Sequence, residues 1–278
     1  MKISSRFWRI VIFVILVLGV VVMTIPTVYM LSTSLRPNGA LYEYPPKIIP
    51  DNITFENYVY IFQEVSFYRN FINSVLVSVA TVALAAFIAS SLAFCLARFS
   101  FPGRKLLFAL IMATMIIPGM TMIIPQFELA VQFKLINKLL GLIPVYVSWV
   151  IPFSTFMIKG FVEDIPMEFD NAVSIDGGNV FTIYRVIILP LASPAIAAVS
   201  IFNFLTAWEE YPWALTVLND SEVRTLPIAI AGFFGEHNFT QWGYIFAMSV
   251  ISLLPVLIIF LLCQKYFVTG LTAGSIKG

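Results

Sequence analysis

Carboxylates stand in two places where they can do more than keep the chain in water. The first is Thr206-Ala207-Trp208-Glu209-Glu210-Tyr211-Pro212-Trp213, at the edge of a strongly apolar segment. Acids in or beside hydrocarbon are costly unless they face a partner or a watery cavity, so Glu209, Glu210 and the adjacent Trp208 are candidates for lining a path. A competing reading puts the run in the membrane interface, where Trp and Tyr form a belt and the acids are wet. Asn203, two turns earlier, sits deeper and is the better candidate for a path. The second place is Glu168-Phe169-Asp170-Asn171-Ala172-Val173-Ser174-Ile175-Asp176-Gly177-Gly178, within a polar stretch at 163–190.

That second stretch carries the marks of a short helix. Pro166 suits a first helical turn, where its missing N–H is not needed, and Asp164, Glu168 and Asp170 suit the positive end of a helix dipole. Ile165, Phe169, Ala172 and Val173 fall at i, i+4, i+7 and i+8, giving one apolar stripe with the acids mostly elsewhere. Gly177 is placed to end the helix in a left-handed conformation, and Asn179 to cap a second one running into Tyr184-Arg185-Val186. A connection this long between apolar segments usually has a task of its own. A solvated amphipathic loop resting on lipid headgroups has the same features.

Other chemistry is poorly represented. The nearest approach to a phosphate-binding loop, Gly274-Ser275-Ile276-Lys277-Gly278, lacks the spacing and a following helix, so the chain is not expected to hydrolyse ATP. The lone His237 lies among Glu236, Asn238 and Thr240 and reads as solvated rather than as a proton relay. Cys95 and Cys263 lie in or beside apolar segments without metal-type spacing and read as packing residues. No Ser/His/Asp set or metal constellation is visible, and a net charge of +1 offers no field for nucleic acid.

The elements that must position these groups follow from composition. With 60% hydrophobic residues, 11% charged and a mean hydropathy of +0.93, the chain is expected to be an all-α polytopic membrane protein. Apolar runs at 8–31, 71–97, 106–127, 140–158, 191–213 and 242–263 predict six spans in a single transmembrane domain, with a loop at 160–190 and a tail at 264–278. The first run is too long for a cleavable signal peptide. Ala85, Ala89, Ala93 and Ala97 recur every fourth residue, a face smooth enough for close helix packing. Pro118-Gly119 and Pro125 interrupt the third run, and the backbone groups they free need partners in the protein or in a cavity. Of the 16 Lys and Arg, Arg36, Lys47, Arg69, Lys134, Lys138 and Arg224 fall on one side and the other ten on the side of both termini and the 160–190 loop. That bias places both termini in the cytoplasm.

The polar stretch resembles the cytoplasmic signature loop of ABC-importer permeases, which reads Glu-Ala-Ala, three residues, Gly, nine residues, Ile, any residue, Leu-Pro. Gly177, Ile187, Leu189 and Pro190 match in type and spacing, whereas the triplet here is Asn171-Ala172-Val173 and lacks the glutamate. Asn73-Ser74, Leu96-Ala97-Arg98-Phe99 with Gly103-Arg104-Lys105, Ile124-Pro125, Trp208 with Glu210 and Trp213, and Thr225-Leu226-Pro227 extend the likeness. So does the terminal Gly270-Leu271-Thr272-Ala273-Gly274 with Lys277-Gly278. Together they resemble the carbohydrate-uptake permeases similar to the smaller permease subunit of the maltose importer.

The resemblance implies a type I importer fold in a prokaryotic cytoplasmic membrane, and a partner set. That set is a second permease in a heterodimer, two ATPase subunits holding ATP and Mg, and an extracytoplasmic solute-binding protein, besides membrane lipid and without nucleic acid. The signature helix, with Glu168, Asp170, Asn171, Ala172, Val173, Asp176 and Gly177, would dock in a cleft of the ATPase. Thr272, Ala273, Gly274 and Lys277 of the tail would reach the ATPase dimer, and the outer loop before the sixth helix would contact the binding protein. Asp170 or Glu168 would have to stand in for the missing glutamate, although neighbouring helical positions point about 100° apart. An importer permease for a non-sugar solute has the same signature. An ion-coupled secondary transporter needs intramembrane ionisable residues, of which these spans hold few, and a membrane enzyme needs convergent catalytic residues.

Overall fold

A computed structural model describes residues 5–37, 49–63, 65–234 and 240–275, and among these there is no strand. Thirteen α-helices are described: α1 Ser5–Ser34, α2 Glu56–Gln63, α3 Phe67–Arg98, α4 Arg104–Ala113, α5 Ile123–Gln132, α6 Ile143–Asp164, α7 Glu168–Ile175, α8 Val180–Ile183, α9 Leu189–Leu191, α10 Ser193–Glu209, α11 Pro212–Val217, α12 Leu226–Ala231 and α13 Trp242–Ser275. Four stretches are long and apolar enough to cross a membrane: Phe7–Ser34, Phe67–Arg98, Leu139–Asp164 and Trp242–Leu262. Two bent pairs, Arg104–Ile116 with Gly119–Gln132 and Val180–Leu191 with Ser193–Glu209, raise the number to six if each is one span.

The interruption expected at Pro118-Gly119 is a sharp bend, and the fifth run carries a second one. The first pair turns by 96°, because Ile117 precedes Pro118 and both take extended backbone angles. The second turns by 73° at Ala192, where Pro194 cannot donate to the carbonyl of Pro190. α10 ends at Glu209, earlier than the expected 213, and α13 runs on to Ser275 where a tail from 264 was expected. His237 and Lys277 lie outside the described residues.

The chain divides into two compact units, and each is described by itself. In the first (Met1–Tyr68 and Ala229–Leu254), α2 closes the end of α1. The Asn57 side-chain amide donates to the carbonyls of Ser34 and Arg36 at 2.9 and 2.7 Å, satisfying groups a helix end leaves open. Tyr60 and Tyr244 stack at 4.1 Å. The apolar window of α1 has no buried residue, as suits a helix whose surroundings are lipid or another subunit.

The second unit (Arg69–Ile228 and Pro255–Gly278) holds α3 from Arg69 onward. Ala85, Ala89 and Ala93 are completely buried, the close-packing face their spacing predicts. Ala89 and Ala93 join Ile158 and Val162 of α6 and Tyr184, Ile188, Ala195 and Val199 in one apolar cluster. A second cluster joins Val77, Tyr146, Ala207, Trp213 and Val217.

Candidate functional site

The site is assembled on α7. α6 stops at Asp164 because Ile165, preceding Pro166, is held extended. α7 begins at Glu168, two residues after the expected start, with Glu168 and Asp170 in its first turn. Its end is built as predicted: Gly177 has φ +81°, and the N–H groups of Gly177 and Gly178 return to the carbonyls of Ser174 and Val173 at 3.1 and 2.8 Å. A Cβ on Gly178 would stand 2.5 Å from Val173 Cγ1, so the turn closes tightly. Asn179 Oδ1 accepts from the Thr182 N–H at 2.9 Å in a capping box that starts α8, again as its type and position predict.

After α8 the backbone runs as a π-helical turn from Tyr184 to Ile188, whose first and last residues are buried. The Tyr184 hydroxyl pairs with Ser90 Oγ of α3 at 2.7 Å. Ile187 and Leu189 pack against the same cluster, and Pro190 is exposed. These signature residues therefore seat the loop on the protein.

The faces of α7 differ from the expected stripe. Its one buried residue is an acid, Asp170, at 6% exposure, while Phe169 is 46% exposed, Ile175 85%, and Met167 ahead of the helix 49%. Glu168, Asn171, Ala172, Asp176 and Gly177 are exposed too, and Val173 is half-buried. Asp170 is turned inward by Arg98, the last residue of α3, whose Nε stands 2.8 Å from Oδ2. Arg98 Nη2 also donates to the Ile165 carbonyl at 2.9 Å. Both charges are out of water, and Asp170 Oδ1 is buried with no donor among the described residues. Removing one member of such a pair strands the other and costs about 3–5 kcal/mol. Asp170 is thus spent within the chain, and Glu168 is the first-turn acid left outward.

The second cluster is also internally committed. Glu210 caps α11: Oε1 accepts from the Trp213 N–H at 2.7 Å, and Oε2 from the Ala214 N–H at 3.0 Å and the Tyr146 hydroxyl at 2.5 Å. Trp208 is buried against Phe71 and stacked on Phe204. Asn203 is 2% exposed and exchanges hydrogen bonds with Ser154 of α6, its amide donating at 3.0 Å. Glu209 is exposed. Three of the four expected path residues thus hold helices together. A cavity of about 470 Å³ opens at the 96° bend, lined by Thr114, Met122, Gln126, Ser148, Trp149 and Pro152 among others. Gln126 Oε1 is buried there with no donor among the described residues. Thr272, Ala273 and Gly274 lie on the last turns of α13.

No group of three or more His, Cys, Asp or Glu among the described residues is placed to hold a metal ion. With its long apolar helices, the chain is a multi-pass membrane protein. It belongs to the family of binding-protein-dependent transport system inner membrane components, which matches residues 83–272. It is therefore a transport component of an inner membrane and not an enzyme. It is 33% identical to the diacetylchitobiose uptake system permease protein DasC of Streptomyces coelicolor, over 99% of this chain and 98% of that one. It is also 33% identical to the melibiose/raffinose/stachyose import permease protein MelC of Bacillus subtilis, over 91% of each. In fold it matches a chain of a bacterial ABC transporter involved in the import of the acidic polysaccharide alginate, with a TM-score of 0.82 at 23% identity, over 96% of this chain and 99% of that one.

Proposed function

We propose that this chain is one permease subunit of an ATP-driven importer of sugars or oligosaccharides. It crosses the membrane six times with both termini in the cytoplasm and forms half of the path beside a second permease. Two ATPase subunits, which bind ATP and Mg, seat α7 in a cleft, and a solute-binding protein delivers cargo from outside. The observation that carries this reading is the exposure of the large apolar side chains Met167, Phe169 and Ile175 on and beside a short helix whose acid Asp170 is tied inward. Such a surface is unfavourable in water and is stabilised by a partner that covers it.

Sugars are favoured because both relatives described above are named for oligosaccharide uptake. The cavity at the bend suits such a cargo: it is lined by the aromatic Trp149, and the unpaired Gln126 oxygen offers an acceptor to a hydroxyl. Motion of the ATPase dimer on closing would reach the spans through α7 as rigid-body rotation. Reconstitution of the importer with its binding protein, followed by uptake of labelled oligosaccharides with and without ATP, tests the function. Uptake that needs both ATP and the binding protein supports it; uptake that follows an ion gradient without ATP contradicts it.

A further inference from the structure

α3 is held by buried side chains at both ends. At one end Arg98 grips α7 through Asp170 and the Ile165 carbonyl. At the other, the Asn70 amide donates to the Arg224 carbonyl at 3.0 Å, and the Asn73 amide to the carbonyls of Glu222 and Arg224 at 3.1 and 3.0 Å. The Leu226 N–H donates to Ser74 Oγ at 2.8 Å, and Arg69 pairs with Glu222. Asn70, Asn73 and Ser74 are 4%, 7% and 2% exposed, so these bonds are sheltered from competing water.

Between its ends α3 spans 32 residues, about 48 Å at the helical rise, which exceeds the roughly 30 Å of hydrocarbon and puts the two anchor sets on opposite faces of the bilayer. Of the four unbroken spans it alone has neither proline nor glycine inside it. Those residues are the usual sites of kinks. An unbroken helix without those kink sites, fixed to α7 at one end and to the segment 222–226 at the other, is suited to carry a shift of one end to the other.

We propose that α3 is a strut that transmits displacement of α7 to the outer segment 222–226, with Arg98, Asp170 and Asn73 as its positioning residues. Its driver rests on the function proposed above, in which α7 meets an ATPase. Contiguity alone does not establish such coupling, so the test must break each end separately.

In the complete reconstituted importer with Cys95 and Cys263 changed to alanine, Ser221→Cys introduces a thiol at an exposed position beside the anchored segment. Its rate of maleimide labelling is compared with and without trapping by ATP and vanadate. The strut requires trapping to change that rate by about fivefold or more, the low end of ordinary coupling between sites. Asp170→Asn at one end and Asn73→Ala at the other each abolish the change while ADP stays trapped, and the conservative Asp170→Glu retains it. A response that survives both disruptions overturns the strut, as does loss of trapping in Asp170→Asn, which would assign the pair to closure of the ATPase itself. A parallel disulfide trial between Ala172→Cys and the ATPase separates the two ideas. Cross-linking without a response at Ser221→Cys overturns the strut alone, whereas absence of cross-linking overturns the docking of α7.

Discussion

Arg98 Nε stands 2.8 Å from Asp170 Oδ2 with both side chains nearly out of water, so the end of a membrane-length helix is tied to the first turn of an eight-residue one. A helix that short has little stability of its own, and its position is set by what it is tied to. Asp170→Ala leaves the guanidinium buried without a counter-charge and is expected to cost about 3–5 kcal/mol locally. Amide exchange in α7 then quickens by about 100-fold or more, while exchange near the opposite end of α3 changes little. Unchanged protection of α7 would show that the pair does not hold it.

The turn after α7 separates backbone strain from crowding. A Cβ at Gly177 meets nothing within 4 Å but must adopt φ +81°, so Gly177→Ala is expected to cost about 1–2 kcal/mol. Gly177→Pro cannot adopt that angle and also loses the N–H to Ser174, so it abolishes substrate-stimulated ATP hydrolysis without preventing membrane insertion. A charge introduced by Ala172→Glu, on the exposed surface, has the same effect on coupling. Normal stimulation in vesicles by any of the last two variants contradicts the role given to this helix.

Glu210 is expected to behave as a cap and not as a cargo ligand. Glu210→Ala leaves two backbone N–H groups and the Tyr146 hydroxyl without their acceptor and lowers stability by about 2–3 kcal/mol. Glu210→Gln keeps an acceptor oxygen and retains most uptake. Thermal unfolding in detergent with uptake at saturating solute distinguishes the two. A fully stable alanine variant that no longer transports would restore Glu210 to the path.

At the bend, Trp149→Ala and Gln126→Ala are expected to raise the solute concentration needed for half-maximal uptake while ATP stimulation by the binding protein persists. Each loss is about tenfold, equivalent to roughly 1.4 kcal/mol of contact with the solute. Unchanged uptake by both variants would show that cargo does not use this cavity.

Much of this architecture was legible in the residues. Alanine every fourth residue marked the buried face of α3, Gly177 the end of α7 and Asn179 the start of α8, because each is fixed by local sterics or a local hydrogen bond. Pro118 marked a break but not its 96° angle. The partners of the polar groups were not legible. Arg98 read as one of several positive-inside charges, and Asp170 as one of three acids, since sequence carries no record that residues 72 positions apart meet. Glu210 looked like a costly charge near hydrocarbon for the same reason: Tyr146, which donates to it, lies 64 positions away. Ser154 beneath Asn203 was equally hidden.

The most direct measurement of the central claim is proximity of α7 to the ATPase in the assembled importer. With Cys95 and Cys263 replaced by alanine, Asn171→Cys and Ala172→Cys, both exposed, are paired in turn with cysteines placed around the ATPase cleft. Disulfides formed at both positions, and altered by ATP, are the expected result. No disulfide from either position, in a complex that still imports solute, would contradict the account.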